Sequence, residues 1–178
     1  MAHPEQMKYV ESLKIIYPRY FNQKKIFEVG SLNINGSLRN FFDDCQYLGI
    51  DIGPGAGVDL VCEGQNYDGP DNTFDVSCSA ECFEHNPYWL ETFKNMIRVT
   101  KPKGMIFFTC ATDGRPEHGT TKSHPVASPL TVAKGWDYYM NLNENHFTSS
   151  INFDILFNTY SFAVNILSCE LYFFGIKK

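Results

Sequence analysis

Glu28 and Gly30 close the apolar run Ile26-Phe27-Glu28-Val29-Gly30, and the chain then passes through Ser31, Leu32, Asn33, Ile34 and Asn35 to Gly36 and Ser37. An acidic residue and a glycine at the end of a short buried strand, followed by residues that tolerate left-handed backbone, suit a turn that wraps a nucleoside. Asp51 ends a second such run, Tyr47-Leu48-Gly49-Ile50-Asp51. It stands about 20 positions after Gly30, where a carboxylate can accept bonds from both hydroxyls of a ribose. The turn does not suit a pyrophosphate. It lacks the three closely spaced glycines of a dinucleotide loop and the lysine of a P-loop, and Glu28 would repel a diphosphate. The same carboxylate would attract a ligand that carries a cationic amino group.

A second set of candidates lies further along. Ser79, Ala80 and Glu81 end the run that starts at Phe74-Asp75, and His85 stands just before Pro87. A histidine there is either a cap at a helix start or a base that faces a substrate. Glu63 could sit beside a ligand amine or be a solvated loop acid. His118 and His124 share a loop with five residues between them, a weak ligand pattern, and no metal is expected. Arg115 could hold an anionic group and is equally a solvated loop arginine.

These residues need a scaffold that gathers strand ends. Met7, Val10, Leu13 and Ile16 recur at helical spacing, so a helix is expected over residues 4–17, packed beside the rest. Strands are expected over residues 26–30, 47–51, 58–61, 74–79 and 105–110, with a short helix from Leu38 and an amphipathic helix over residues 87–99. Pro102-Lys103-Gly104 reads as the turn before the fifth strand. Residues 111–135 are rich in Gly, Pro, Ser and Thr without periodicity; a loop of that length is usually functional, often a lid. Residues 144–151 read as helical, and residues 161–165 and 169–176 as a closing hairpin. The rhythm predicts an α/β fold, Rossmann-like and doubly wound: a mostly parallel seven-stranded sheet with an antiparallel C-terminal hairpin and helices on both faces.

The bulk numbers agree. The 178 residues are enough for one domain with a substantial core, read as an N-terminal helical segment over residues 1–22 and a nucleoside-binding core over residues 23–178. Hydrophobic residues make up 43%, a globular composition. The net charge is −5, with 15 Lys+Arg against 20 Asp+Glu, which weighs against a nucleic-acid backbone as partner. The six cysteines contain no C-x-x-C pair; Cys78, Cys110 and Cys169 lie in apolar runs and read as buried thiols of a reducing compartment. No apolar run approaches a membrane span, and the N-terminus carries no leader-like apolar stretch, so a cytoplasmic protein is expected.

The order of elements resembles the class I S-adenosylmethionine-dependent methyltransferases, of the small type-11 kind, over residues 25–178. Their first motif, E/D-x-G-x-G-x-G, is similar to Glu28-x-Gly30 followed by Leu-Asn-Ile-Asn and Gly36. Their ribose-binding acid maps to Asp51, and the acid near the adenine amine to Glu63. Their fourth motif is similar to Phe74-Asp75-Val76-Ser77-Cys78-Ser79-Ala80-Glu81-Cys82-Phe83-Glu84-His85, and their turn before strand five to Thr100-Lys101-Pro102-Lys103-Gly104. The resemblance implies that S-adenosylmethionine, and its product S-adenosylhomocysteine, are held by Glu28, Gly30, Ser31, Asn33, Gly36, Ser37, Asp51, Ile52, Glu63, Ser79, Ala80 and Glu81. His85 is then the candidate catalytic residue, needed only if the acceptor is a hydroxyl. The expected acceptor is a small molecule, or one presented by a partner, entering past the fourth and fifth strands near Glu81, His85, Arg115, Glu117 and His118.

Other readings remain. Asn86-Pro87-Tyr88 is similar to the N-P-P-Y motif of methyltransferases that act on nucleic-acid bases, but it lies beyond the strand end and lacks one proline. A nicotinamide-dependent oxidoreductase would want the missing glycines. A non-catalytic domain that keeps the fold as a binding module is compatible with the irregular loop at Leu32 to Asn35.

Overall fold

Neighbouring residues in the central strands are apolar on both sides. Ile26 and Phe27, and the run Met105 to Phe108, are wholly buried. Such strands must be covered on both faces. The computed structural model describes residues 4–178. Its strands are β1 (Lys25–Val29), β2 (Gln46–Asp51), β3 (Leu60–Val61), β4 (Phe74–Ala80), β5 (Thr100–Ala111), β6 (Phe157–Asn165) and β7 (Glu170–Lys177). They form one seven-stranded sheet in the order β3-β2-β1-β4-β5-β7-β6. β1 pairs in parallel with both β2 and β4, so the winding reverses between β1 and β4. That reversal opens a crevice at the carboxyl ends of these strands, where ligands of open α/β sheets sit. β7 runs antiparallel to β5 and β6, as the expected hairpin requires.

The helices are α1 (Pro4–Ile16), α2 (Trp89–Val99), α3 (Pro129–Lys134), α4 (Glu144–Thr148) and α5 (Phe153–Leu156). One face of the sheet packs Phe27, Ile106, Phe108 and Phe173 against Phe93 and Met96 of α2 and Phe147 of α4. The other packs Ile26, Val76, Cys78 and Phe107 against Val10 and Leu13 of α1. α2 starts where the Asn86 side chain is fully engaged: its Oδ1 accepts from the Tyr88 N–H at 2.8 Å and its Nδ2 donates to Thr92 at 2.9 Å. This is the work of Asn86 in the Asn-Pro-Tyr stretch: it closes the turn that leads into α2.

Four expectations change. The third strand is only Leu60–Val61. The turn at Pro102-Lys103-Gly104 does not precede β5 but is looped out within it. Phe74 pairs with Thr100 and Val76 with Met105, and Lys103 takes a φ of 64° to absorb the excess. The helix expected over residues 144–151 is shorter, α4 ending at Thr148, and a second short helix, α5, follows it. The aperiodic loop holds a helix, α3, with Pro129 in its first turn and Gly135 after its end at a φ of 79°. Too short to show a period, α3 was nevertheless signalled by that Pro–Gly pair. Cys78 and Cys110 are buried as expected, whereas Cys169 is half-buried in the hairpin turn.

Candidate functional site

The crevice between β1 and β4 holds a cavity of about 80 Å³, lined on one side by Glu28, Gly30, Ser31, Gly36 and Asp51 and on the other by Ala80, Glu81, Cys82 and His85. Gly30 has a φ of 77°, and a Cβ on it would lie 2.7 Å from Cys82 Cβ. Only glycine lets the turn after β1 approach the end of β4 so closely.

Glu28 is 4% exposed and accepts a 2.7 Å bond from the Tyr47 hydroxyl. Its burial, opposed by that bond, pushes its carboxyl up to about 7. Asp51 is tied to the loop it faces. Its Oδ2 accepts from the Leu32 N–H at 2.9 Å and its Oδ1 from the Ile52 N–H at 2.8 Å. Burial raises its carboxyl and the two backbone donors oppose that. A carboxylate has about four acceptor positions, so both oxygens can still receive ribose hydroxyls.

Of the other sequence candidates, Asn33 folds the loop by accepting from the Gly36 N–H at 2.9 Å, and Ser37 accepts from the Arg39 N–H at 3.2 Å. Ser79 is spent on the carbonyl of Val29, 2.8 Å away. Ile52 contributes its backbone to Asp51. Glu63 pairs with Lys134 of α3 at 2.6 Å. These five shape the walls and do not line the cavity.

Several lining residues carried no sequence signal. Met7 of α1 lines the cavity, and the neighbouring Gln6 donates from Nε2 to Glu81 Oε1 at 3.2 Å. The N-terminal helix therefore forms part of the site as well as packing beside the sheet. Residues Ala127 to Thr131 form a further wall, with the Leu130 side chain lying on the backbone of Gly53 just beyond β2. Sites for drug-sized ligands span roughly 300–1,000 Å³. At about 80 Å³ this cavity is small against that range, and Pro129 to Thr131 at the start of α3 form part of its wall.

Past Glu81 the wall becomes strongly polar. Glu84 is wholly buried and His85 is 3% exposed. Glu81 Oε1 accepts from the Thr109 hydroxyl at 3.1 Å. Its Oε2, both oxygens of Glu84 and both ring nitrogens of His85 make no hydrogen bond among the described residues. Burial raises the carboxyls of Glu81 and Glu84, and burial with the neighbouring His118 holds His85 down at about 3. A histidine so depressed is neutral near pH 7 and a weak general base. His118 reaches this wall from the long loop, its ring 4.9 Å from that of His85; His124 is exposed.

The family model described as "Methyltransferase domain" matches residues 30–108. This segment of the chain is similar to that family. It runs from the turn after β1 to the middle of β5 and so contains Gly30, Asp51, Glu81 and His85. Solved methyltransferases share the fold of the whole chain. The Haemonchus contortus phosphoethanolamine N-methyltransferase 2 in complex with S-adenosyl-L-methionine is 14% identical, with a TM-score of 0.67 over 99% of this chain and 54% of its own. The Burkholderia thailandensis 1,6-didemethyltoxoflavin-N1-methyltransferase, solved with 1,6-didemethyltoxoflavin and S-adenosylhomocysteine, is 11% identical, with a TM-score of 0.62 over 100% of this chain and 92% of its own. A Galdieria sulphuraria protein assigned as a sarcosine dimethylglycine methyltransferase is 18% identical, with a TM-score of 0.51 over 71% of this chain and 58% of its own. The chain thus spans little more than half the length of the Haemonchus and Galdieria proteins, and at these identities the likeness is one of fold. No curated protein matches the chain in sequence. Among the described residues, no helix is long and apolar enough to cross a membrane.

Proposed function

We propose that the chain is an S-adenosylmethionine-dependent methyltransferase that acts on a small-molecule acceptor. The observation that carries this reading is the pair of carboxylates at the winding reversal. Glu28 and Asp51 flank a glycine turn that admits a nucleoside and has no diphosphate cradle. In this reading Asp51 accepts the ribose hydroxyls, and Glu28 faces the cationic amino-acid end of the cofactor. The bound cofactor supplies the methyl group on a sulfonium. The chain's residues then need only bind, orient and exclude water while the acceptor attacks in line.

The small acceptor is supported by the neighbours, which were solved with 1,6-didemethyltoxoflavin and with phosphomonomethylethanolamine. It also fits the wall of Glu81 and His85 beside the cavity. For a cofactor to enter, α3 must lift Leu130 from Gly53. Calorimetry with S-adenosylmethionine, S-adenosylhomocysteine and NAD tests the reading. Binding of the first two and not the third is expected; folded protein that takes neither adenosyl ligand overturns it. Transfer of labelled methyl from the cofactor into fractionated small-molecule pools then separates an enzyme from a binding module.

A further inference from the structure

Glu84, His85 and His118 each present a ligand atom, and the three atoms lie within 4.8 Å of one another. We propose that these side chains form a binding site for a divalent first-row transition cation of the Mn²⁺, Co²⁺ or Zn²⁺ class, with Glu81 beside it. The site borders the nucleoside cradle, from which His85 and Glu81 are shared, and was not expected from the sequence.

The spacing is that of ligands around one ion. Donors bound at roughly 2.0–2.2 Å stand about 3.0–3.6 Å apart when adjacent and about 4.4 Å when opposite, so binding an ion would draw these three atoms closer together. The Glu84 Oε1 to His85 Nε2 distance is 3.9 Å. That is too long for the hydrogen bond a structural Glu–His pair would make. It falls inside the span of two ligands sharing an ion. Two imidazoles and a carboxylate also form the donor set that leaves coordination positions open on transition cations, whereas calcium prefers oxygen alone.

Burial supplies an independent argument. Glu84 is wholly buried, with neither oxygen hydrogen-bonded among the described residues, and both ring nitrogens of the nearly buried His85 are in the same condition. Buried polar atoms are seldom left so, because each forfeits its hydration. A cation satisfies both side chains at once. Glu81 brings a further oxygen, Oε2, of the same kind.

The surroundings hold the donors in place. The Nδ1–H of His118 donates to the carbonyl of Pro116 at 3.0 Å, since a carbonyl can only accept. This fixes the tautomer that keeps the Nε2 lone pair, and Nε2 is shielded from solvent. A metal-bound histidine is usually oriented in this way, by a second N–H held on a carbonyl. Gly119, at a φ of 68°, lets the loop lie on His85; a Cβ there would meet His85 Cε1 at 2.6 Å. Tyr139 packs against both imidazole rings. A surface cavity of about 290 Å³ lined by Arg115, Glu117, His118 and His124 gives an ion access from solvent. On the other side, Glu81 and His85 line the central cavity, so an ion here would stand within reach of a molecule bound in it.

The test uses the full chain, stripped with chelator and dialysed, without any adenosyl ligand. Cobalt is titrated with visible absorption as the readout, and Mn²⁺, Zn²⁺ and Ca²⁺ are titrated by calorimetry. The expected result is saturable one-to-one binding of Co²⁺ with ligand-field bands, and Ca²⁺ weaker by at least tenfold. Glu84→Gln and His118→Ala should each weaken Co²⁺ binding by tenfold or more while circular dichroism stays that of the parent. Should Glu84→Gln not fold, His118→Ala decides, because its side chain belongs to a loop. No saturable binding by the parent, unchanged affinity in the folded variants, or Ca²⁺ binding as tightly as Co²⁺ overturns the site. Cofactor calorimetry on the same stripped protein reads the methyltransferase proposal separately, so either can fail alone.

Discussion

At the ends of β1 and β2 the carboxylates have their donors: Glu28 has the Tyr47 hydroxyl, and Asp51 has the N–H groups of Leu32 and Ile52. At the end of β4, Glu81 Oε2, both oxygens of Glu84 and both nitrogens of His85 have none among the described residues. The first wall is finished by its own backbone and the Tyr47 hydroxyl and can hold its shape without a ligand. The second is expensive, since an unsatisfied buried polar group costs roughly 1–3 kcal/mol. Keeping such groups at the mouth of a cavity makes sense when a bound species completes them. The comparison separates residues that shape a cradle from residues that wait for a partner.

Asp51→Ala should break the first wall most severely. It removes the ribose acceptor and releases the Leu32 loop together. Loss of two charge-assisted bonds at roughly 1.5–3 kcal/mol each predicts that S-adenosylmethionine affinity falls by about a hundredfold or more by calorimetry. Asp51→Asn keeps the shape and should lose about tenfold. If Asp51 served only to hold the loop, melting temperature would fall while affinity stayed intact.

Glu28 gives the same wall a pH signature. Its carboxyl rises from 4.5 to about 7 on folding, so the folded chain prefers the protonated form. The stability this contributes is fully present below pH 4.5 and is lost as pH rises through 7. The shift corresponds to about 3 kcal/mol at most. In denaturant titrations, Glu28→Gln should remove that decline between these limits. Parallel pH profiles for the two proteins would show that Glu28 does not titrate on folding.

The second wall predicts the opposite sign. In chelator-treated protein, Glu84→Met replaces a buried, unsatisfied carboxylate with an apolar chain of similar size. It should raise stability by about 1–3 kcal/mol, read as a higher melting temperature. A lower melting temperature would mean that Glu84 is already satisfied in the chain itself.

The smallest effect concerns α3. The Lys134–Glu63 pair is partly exposed, and Lys134→Ala should change global stability by less than about 1 kcal/mol. Hydrogen exchange over residues 127–134 should nevertheless quicken, and bound cofactor should slow it in both proteins. Exchange unaffected by either would show that α3 is a fixed wall.

Much of the cradle was legible because its signals are local. Gly30 and Asp51 mark strand ends, and β1, β4 and the second half of β5 are continuous, mostly apolar runs. The misplacements have physical causes. The Pro102-Lys103-Gly104 turn looks like a terminus in sequence, but pairing with β4 continues on both sides of it. Glu63 reads as a ligand-facing acid until Lys134, brought over by α3, takes it. Ser79, a polar residue at a strand end, is absorbed by the Val29 carbonyl of the adjacent strand.

Signals local to the chain suffice for the parallel sheet, its antiparallel close and the acidic, glycine-marked ends of the first two strands. Hydrophobic period, turn chemistry and strand-end residues act through neighbours in the chain, so they can be read in one dimension. The tertiary structure alone decided that α1 and residues 127–131 wall the cavity, that Gln6 meets Glu81, and that His118 rather than His124 reaches Glu84 and His85. Those convergences depend on how a long loop packs over the end of a sheet. The energy of that packing comes from burial and close fit between distant segments, which leave no period in the sequence.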